Sequence, residues 1–174
     1  RTAYAALQES NAIAVLDLEA GRFTHVFGLG YKDWSAADRG LDVSDKDGGV
    51  HLARLPVLGM YMPDGMAVIR KDGKDYILTA NEGDAADYAS YSEEVRAKEL
   101  ADRYALNAER FAGYTQEELD ALVRNGLFDD DRLGRLKTTT SAPMNEDGYY
   151  EAVYGFGARS FTVWDAADMR AVYD

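Results

Sequence analysis

Ala12-Ile13-Ala14-Val15-Leu16-Asp17 and Ser160-Phe161-Thr162-Val163-Trp164-Asp165 are two copies of one pattern. Each is an apolar run of strand length ending on Asp. A four-residue link follows, and then a second strand that begins at Arg22 in one copy and Arg170 in the other. The spacing is 148 residues at both points (160 − 12 and 170 − 22). Short apolar strands joined by tight turns predict antiparallel meanders. Recurrence of the same hairpin predicts a repeated sheet rather than one continuous one.

Working outward, Asp64 to Arg70 and Asp75 to Ala80 flank Lys71-Asp72-Gly73-Lys74, a hairpin turn in which Asp-Gly accommodates positive φ. A hydrophobic strand ending in Asp is a frequent mark of a β-propeller blade, so the fold class expected is mainly β. About two four-stranded antiparallel blades are expected, with a helical insertion. Residues 4–27 supply the last three strands of one blade, and 28–63 form a long loop. Residues 64–174 form the next blade, with the helical insertion at about 85–132. In that blade Met66–Arg70 is innermost and Arg170–Tyr173 outermost. The helical expectation rests on Ser92 as a cap and on the capping box Thr115-Gln116-Glu117-Glu118, with Asn125-Gly126 as a stop.

Two blades leave two apolar faces uncovered, and a ring takes roughly four to eight blades. The sequence is therefore read as a fragment of one propeller domain. The expected partners are the remaining blades of that propeller, or other chains that complete it.

Composition narrows the partners. The 31 acidic and 19 basic residues give a formal net charge of −12, which excludes a basic footprint for nucleic acid and favours cations. No apolar run approaches the roughly 20 residues of a membrane helix. Cysteine is absent, which removes thiolate metal sites, disulfides and cysteine nucleophiles. The two histidines, His25 and His51, are too few for a multi-histidine metal centre. No Gly-x-Ser-x-Gly elbow or P-loop occurs.

Strand parity sends the short links to one end of the sheets and the long connections to the other. The long connections carry the acidic clusters. Asp42, Asp45 and Asp47 lie in a glycine-flanked loop, and Asn81, Glu82 and Asp84 follow the strand that ends at Ala80. Calcium takes six to eight oxygens at about 2.3–2.6 Å, so clustered Asp, Asn and carbonyl groups suit it. Calcium is the cofactor expected at these six residues, although neither cluster has the EF-hand spacing. Asn145-Glu146-Asp147-Gly148 with Glu151 is a third, thinner cluster. Arg135, Lys137 and Arg159 reach the same end and are candidates for holding phosphate or another anion. No catalytic residue is assigned.

The blocks Gln8–Asp17, Gly40–Gly49, Pro56–Asp64, Leu133–Lys137 and Phe156–Phe161, with Thr79-Ala80-Asn81-Glu82-Gly83-Asp84, resemble the choice-of-anchor I family in content and order. The resemblance implies a secreted or surface β-propeller longer than this chain. It points to relatives among mesenchyme-specific cell-surface glycoproteins and atypical bacterial alkaline phosphatases. Around Asn145 the family's acidic run is denser than here. Three functions follow as expectations. The first is a secreted, cell-surface or periplasmic calcium-binding module. The second is a metal-dependent, alkaline phosphatase-like phosphoesterase. The third is a metal-free structural scaffold.

Overall fold

The computed structural model describes all residues, 1–174. Its strands in chain order are β1 (Thr2–Leu7), β2 (Ala12–Asp17), β3 (Arg22–Gly28), β4 (Tyr31–Asp33), β5 (Val57–Met60), β6 (Pro63–Lys71) and β7 (Lys74–Asn81). Then come β8 (Asp87–Tyr88), β9 (Tyr91–Ser92), β10 (Glu94–Arg96), β11 (Lys137–Thr139), β12 (Val153–Gly155), β13 (Ser160–Asp165) and β14 (Ala171–Tyr173). One α-helix, α1, spans Gln116–Arg124. The fold is mainly β, with open, largely antiparallel sheets. The chain divides into two compact units. One comprises Arg1–Tyr31, Met60–Asp84 and Phe156–Asp174; the other comprises Lys32–Gly59 and Ala85–Gly155.

The first unit holds two meanders, a three-stranded sheet in the order β1-β2-β3 and a four-stranded sheet in the order β14-β13-β7-β6. The second sheet joins the four strands grouped together from the sequence, as neighbours in the order expected for them, β6-β7-β13-β14. The repeat proves deeper in geometry than in residue identity. Asn11 and Arg159, both just before the repeated strand, have φ of 50° and 46°; Gly21 and Met169, both within the following link, have φ of 60° and 58°. Each pair is separated by the same 148 residues as the strands (159 − 11, 169 − 21). Leu18 N–H donates to the Arg1 carbonyl at 2.9 Å, as Ala166 N–H donates to the Asp75 carbonyl at 3.0 Å. The terminal Asp has one job in both copies. Asp17 Oδ1 accepts from the backbone N–H of Glu19 and Ala20, and Asp165 Oδ1 accepts from that of Ala167. Such Asx turns fix the tight link after the strand.

Period-two alternation decides which face each sheet buries. Register puts Ile13 opposite Phe27 and Tyr4 opposite Val15, on one face of the first sheet. In the second sheet Trp164 lies opposite Ile77, and Ile77 opposite Val68. These two faces stack on each other, and Leu29, Tyr61, Met66, Ala158 and Met169 fill the seam. Ile13 and Ile77 are 0% exposed and Trp164 is 2%. The Tyr61 ring meets the Trp164 indole edge-on, with centroids 5.1 Å apart. The outward faces remain open. Phe23 and Val26 project from the first sheet, and Ile69, Phe161 and Tyr173 from the second. Phe161 is the repeat equivalent of Ile13, yet it is 55% exposed.

The second unit is built from segments read as a long loop and a helical insertion. Its five-stranded sheet runs β10-β11-β12-β5-β4, with β12 and β5 parallel and Val153 opposite Val57. Trp34, Leu58, Leu119, Leu127, Leu133 and Val153 are among the residues that form its core. Within 85–132 only α1 is α-helical. It is capped as expected, since Thr115 N–H donates to Glu118 Oε2 at 2.8 Å and Glu118 N–H to Thr115 Oγ1 at 3.3 Å. Ser92 caps no helix. Glu94–Arg96 is a strand because it pairs with Lys137–Thr139, and Ala97–Arg103 follows as a 3-10 segment. Sheet pairing overrides the local helix pattern there. The stretch 28–63 contains β4 and β5 at its ends. Leu41 and Ala53 close its middle with reciprocal backbone hydrogen bonds of 2.9 and 3.2 Å.

Ile77 sits at the centre of the seam, so Ile77→Ala is expected to cost about 2–5 kcal/mol in urea unfolding. A loss below about 1 kcal/mol would show that the two sheets do not share a packed core.

Candidate functional site

The acidic loop Asp42–Gly49 belongs to the second unit and is tied down at several points. Its Ser44 Oγ donates to the Asp130 carbonyl at 2.9 Å and accepts from Lys46 N–H at 3.1 Å. Arg135 grips Asp45 with two guanidinium nitrogens, the Nη2–Oδ2 bond being 3.0 Å. Asp47 Oδ2 lies 2.9 Å from His51 Nδ1. Lys98 Nζ meets Asp130 Oδ1 at 2.7 Å, which steadies the segment that receives Ser44. Gly48, at φ +80°, lets the chain double back between Asp47 and His51. Asp47 Oδ1 is buried and has no hydrogen-bond donor.

Electrostatics inside this loop follow the pairing. The hydrogen bond from Arg135 holds the Asp45 carboxyl below its ordinary range, and Lys98 does the same for Asp130. Conversely, Asp45 raises the Arg135 guanidinium. Both Asp45 oxygens are therefore engaged by a cation the protein already supplies.

The second acidic cluster lies in the first unit. Asn81 turns inward and is 4% exposed. Its amide donates to Thr162 Oγ1 at 2.6 Å and to Ser160 Oγ at 3.0 Å, and its Oδ1 accepts from Thr79 Oγ1 at 2.8 Å. Trp164 Nε1–H donates to Thr79 Oγ1 at 2.9 Å. At the other end Ser160, Thr162 and Tyr61 hydroxyls donate to the Asp174 carboxylate. Asn81 is thus the middle of a buried polar chain, while Glu82 and Asp84 are exposed. The third cluster is a turn. Asn145 Oδ1 accepts from Asp147 and Tyr149 N–H, and Glu151 pairs with Arg110 at 2.5 Å.

The three basic candidates separate in the same way. Arg135 is held by Asp45, and Lys137 Nζ lies 2.6 Å from Glu94 Oε1. Arg159 sits at the end of β13 in the left-handed region and lines an open cleft of about 760 Å³ with Glu82 and Phe161. The cleft floor is fixed by a backbone crossing. A Cβ on Gly157 would lie 1.6 Å from the Glu82 carbonyl oxygen, and Gly157 also has φ +79°. Only glycine fits there.

Across the whole chain no three Asp, Glu or His side chains converge into a group that could hold a metal ion. No helix is long and apolar enough to cross a membrane. Two polar features were not singled out from sequence. One is the Thr79–Asn81–Thr162–Asp174 chain. The other is Glu93, 8% exposed, which accepts from Ala86 N–H and Thr139 Oγ1. The first had a signal, since Thr79, Asn81, Ser160 and Thr162 recur at period two in strands, where alternate residues share a face.

Stacked blade-like sheets with an added loop-rich unit define an open, propeller-type β protein. The choice-of-anchor I domain matches residues 1–174, and the chain belongs to that family. No curated protein and no solved structure matches it.

The Asp45–Arg135 pair gives a signed pH test. A carboxylate whose folded pKa is depressed contributes stability above its ordinary value of 3.8, and the contribution is lost as pH falls through the folded value. The Tm gap between the parent chain and Arg135→Gln is therefore expected to be full at neutral pH and to shrink below 3.8. A gap that stays constant into acid would assign Arg135 a role other than charge pairing.

Proposed function

We infer that the chain is part of a secreted or cell-surface binding module whose acidic loop, Asp42–Gly49, takes calcium. Family membership supports the surface setting. The observation that carries the calcium reading is Asp47 Oδ1, a buried carboxylate oxygen without a donor. Leaving such an atom unsatisfied is costly, and a hard cation satisfies it with oxygen chemistry. Asp42 and Asp47 would supply carboxylate oxygens, and the loop's backbone carbonyls the remainder. Asp45 would join only by releasing Arg135. In the other cluster Glu82 and Asp84 are the exposed ligand candidates, since the Asn81 Oδ1 that would bind a cation accepts from Thr79 Oγ1 inside the sheet. The open faces carrying Phe161 and Val26 support partners that are further blades of the same propeller, or other chains in their place.

Calcium titration is expected to raise the Tm of the parent chain by mass action, and chelator to reverse it. Asp47→Ala is expected to abolish that shift while leaving a cooperative unfolding transition. A Tm indifferent to both calcium and chelator would contradict the reading and leave a metal-free scaffold.

Arg159 favours a second reading, a metal-dependent phosphoesterase, because it shares its cleft with the exposed carboxylate Glu82. Turnover of a generic phosphomonoester that chelator stops and Arg159→Ala weakens is the outcome this reading requires. Absence of chelator-sensitive turnover removes it.

A further inference from the structure

We propose that the hairpin Asp87–Ser92 is a docking face for a cationic protein segment, with an arginine side chain of the partner laid on the rings of Tyr88 and Tyr91. The inference is independent of the calcium reading and of the stacked sheets, since every residue it uses lies in the second unit.

The hairpin consists of β8 and β9, two residues each, joined by Ala89-Ser90. Such a ribbon is marginal by itself, so its shape is set at its base. Glu93 sets it. Glu93 N–H donates to the Ala86 carbonyl at 3.2 Å, which continues the register that puts Asp87 opposite Ser92 and Tyr88 opposite Tyr91. Glu93 Oε1 accepts from Ala86 N–H at 2.9 Å, and Oε2 from Thr139 Oγ1 at 2.9 Å. The N–H and hydroxyl of Thr140 both donate to the Glu93 carbonyl, at 2.8 and 3.2 Å. Nearer the tip, the Tyr91 and Ser141 hydroxyls lie 2.8 Å apart. The ribbon is thereby fastened to the end of β11 and the residues that follow it.

What is fastened this way contributes nothing to a core. Every residue from Asp87 to Ser92 is exposed, Tyr88 at 62% and Tyr91 at 48%. Directly opposed residues share a face, so both rings stand on the same side of the ribbon. Asp-Tyr-Ala-Ser-Tyr-Ser also has the composition of a recognition loop. Tyrosine there supplies a large amphipathic contact at low entropic cost, and serine supplies adaptable hydrogen bonds.

Charge selects the partner. By the same alternation Glu93 falls on the tyrosine face, two residues beyond Tyr91. It is 8% exposed, and its oxygens accept from neutral donors. A carboxylate sunk beneath the surface projects a stronger field than one in open water. Asp87 adds a second acid on the opposite face, and residues 85–95 include no lysine or arginine. The ring faces are themselves negative, and a planar, weakly hydrated guanidinium stacks on them well. A neutral sugar would use the rings and hydroxyls but leave this charge unanswered.

The test is fluorescence anisotropy of the 174-residue chain with a fluorescein-labelled peptide of alternating glycine and arginine. The same peptide with citrulline in place of arginine is the control. The parent is expected to bind the arginine peptide and to prefer it clearly over the citrulline one. Tyr88→Leu with Tyr91→Leu preserves net charge and apolar bulk but removes the rings, and is expected to weaken binding about tenfold. Tyr88→Phe with Tyr91→Phe keeps the ring faces and is expected to stay within about twofold of the parent. Both double variants should keep the parent's Tm, since neither ring lies in a core. Equal binding by parent and leucine variant would show attraction to net charge alone and overturn the proposal. So would loss of binding in the phenylalanine variant, a parent that ignores the arginine peptide, or equal binding of the citrulline form, which a sugar-type polar face would give.

Discussion

The face of the first sheet that carries Tyr4, Ile13 and Phe27 packs on the face of the second that carries Ile77 and Trp164. The rest of the first unit depends on that seam. Full burial of an aliphatic side chain contributes roughly 1.5–3 kcal/mol, so Ile13 and Ile77 alone represent a large share of a small domain's margin. The seam also fixes register. A slip of one residue would bring Ala14 and Val163 into it and turn Ile13 and Trp164 out to water. With register fixed, the Asx turns after Asp17 and Asp165 and the crossing of Gly157 over Glu82 are placed as consequences.

The two copies are equivalent in backbone and unlike in chemistry. Thr79, Asn81, Ser160, Thr162 and Trp164 link into one hydrogen-bonded chain. Their equivalents by offset are Ala5, Leu7, Ala12, Ala14 and Leu16. One sheet therefore presents a polar ladder toward the seam where the matching face of the other carries apolar side chains, Ala12 and Ala14 among them only 4% and 3% exposed. A satisfied buried network tolerates few alternative partners, so the ladder restricts which sheet can stack there and in what register. Its cost is small only because each donor finds an acceptor, which makes Asn81, bonded on both sides, the residue the ladder can least lose.

Legibility in the sequence tracked locality. The hairpins at Asp17–Arg22 and Lys71–Lys74 were readable because turn chemistry and alternation both lie within a few residues. The capping box at Thr115 was readable for the same reason. Glu94–Arg96 was not, because its state is decided by Lys137–Thr139, some forty residues on, and an isolated stretch of Glu, Val and Arg suits a helix equally well. The parallel pairing of Val57 with Val153 was hidden for the same reason. Among the candidate ligands, residue type alone could not reveal that Asn81 turns inward or that Asp45 is already gripped by Arg135. Clustering in sequence shows which carboxylates are near each other; it does not show where their oxygens point.

One stacking geometry is realised once within this chain, between the faces of Ile13 and Trp164, and is not repeated at Phe161. Ile13 and Phe161 test it together, being equivalent positions with opposite exposure. Urea unfolding of the 174-residue chain is the direct measurement. Ile13→Asp should be severely destabilising, because it buries an unpaired charge. Phe161→Asp should stay within about 0.5 kcal/mol of the parent, as surface changes do. Comparable losses at the two positions would contradict this single stacking, since Phe161 would then already be covered.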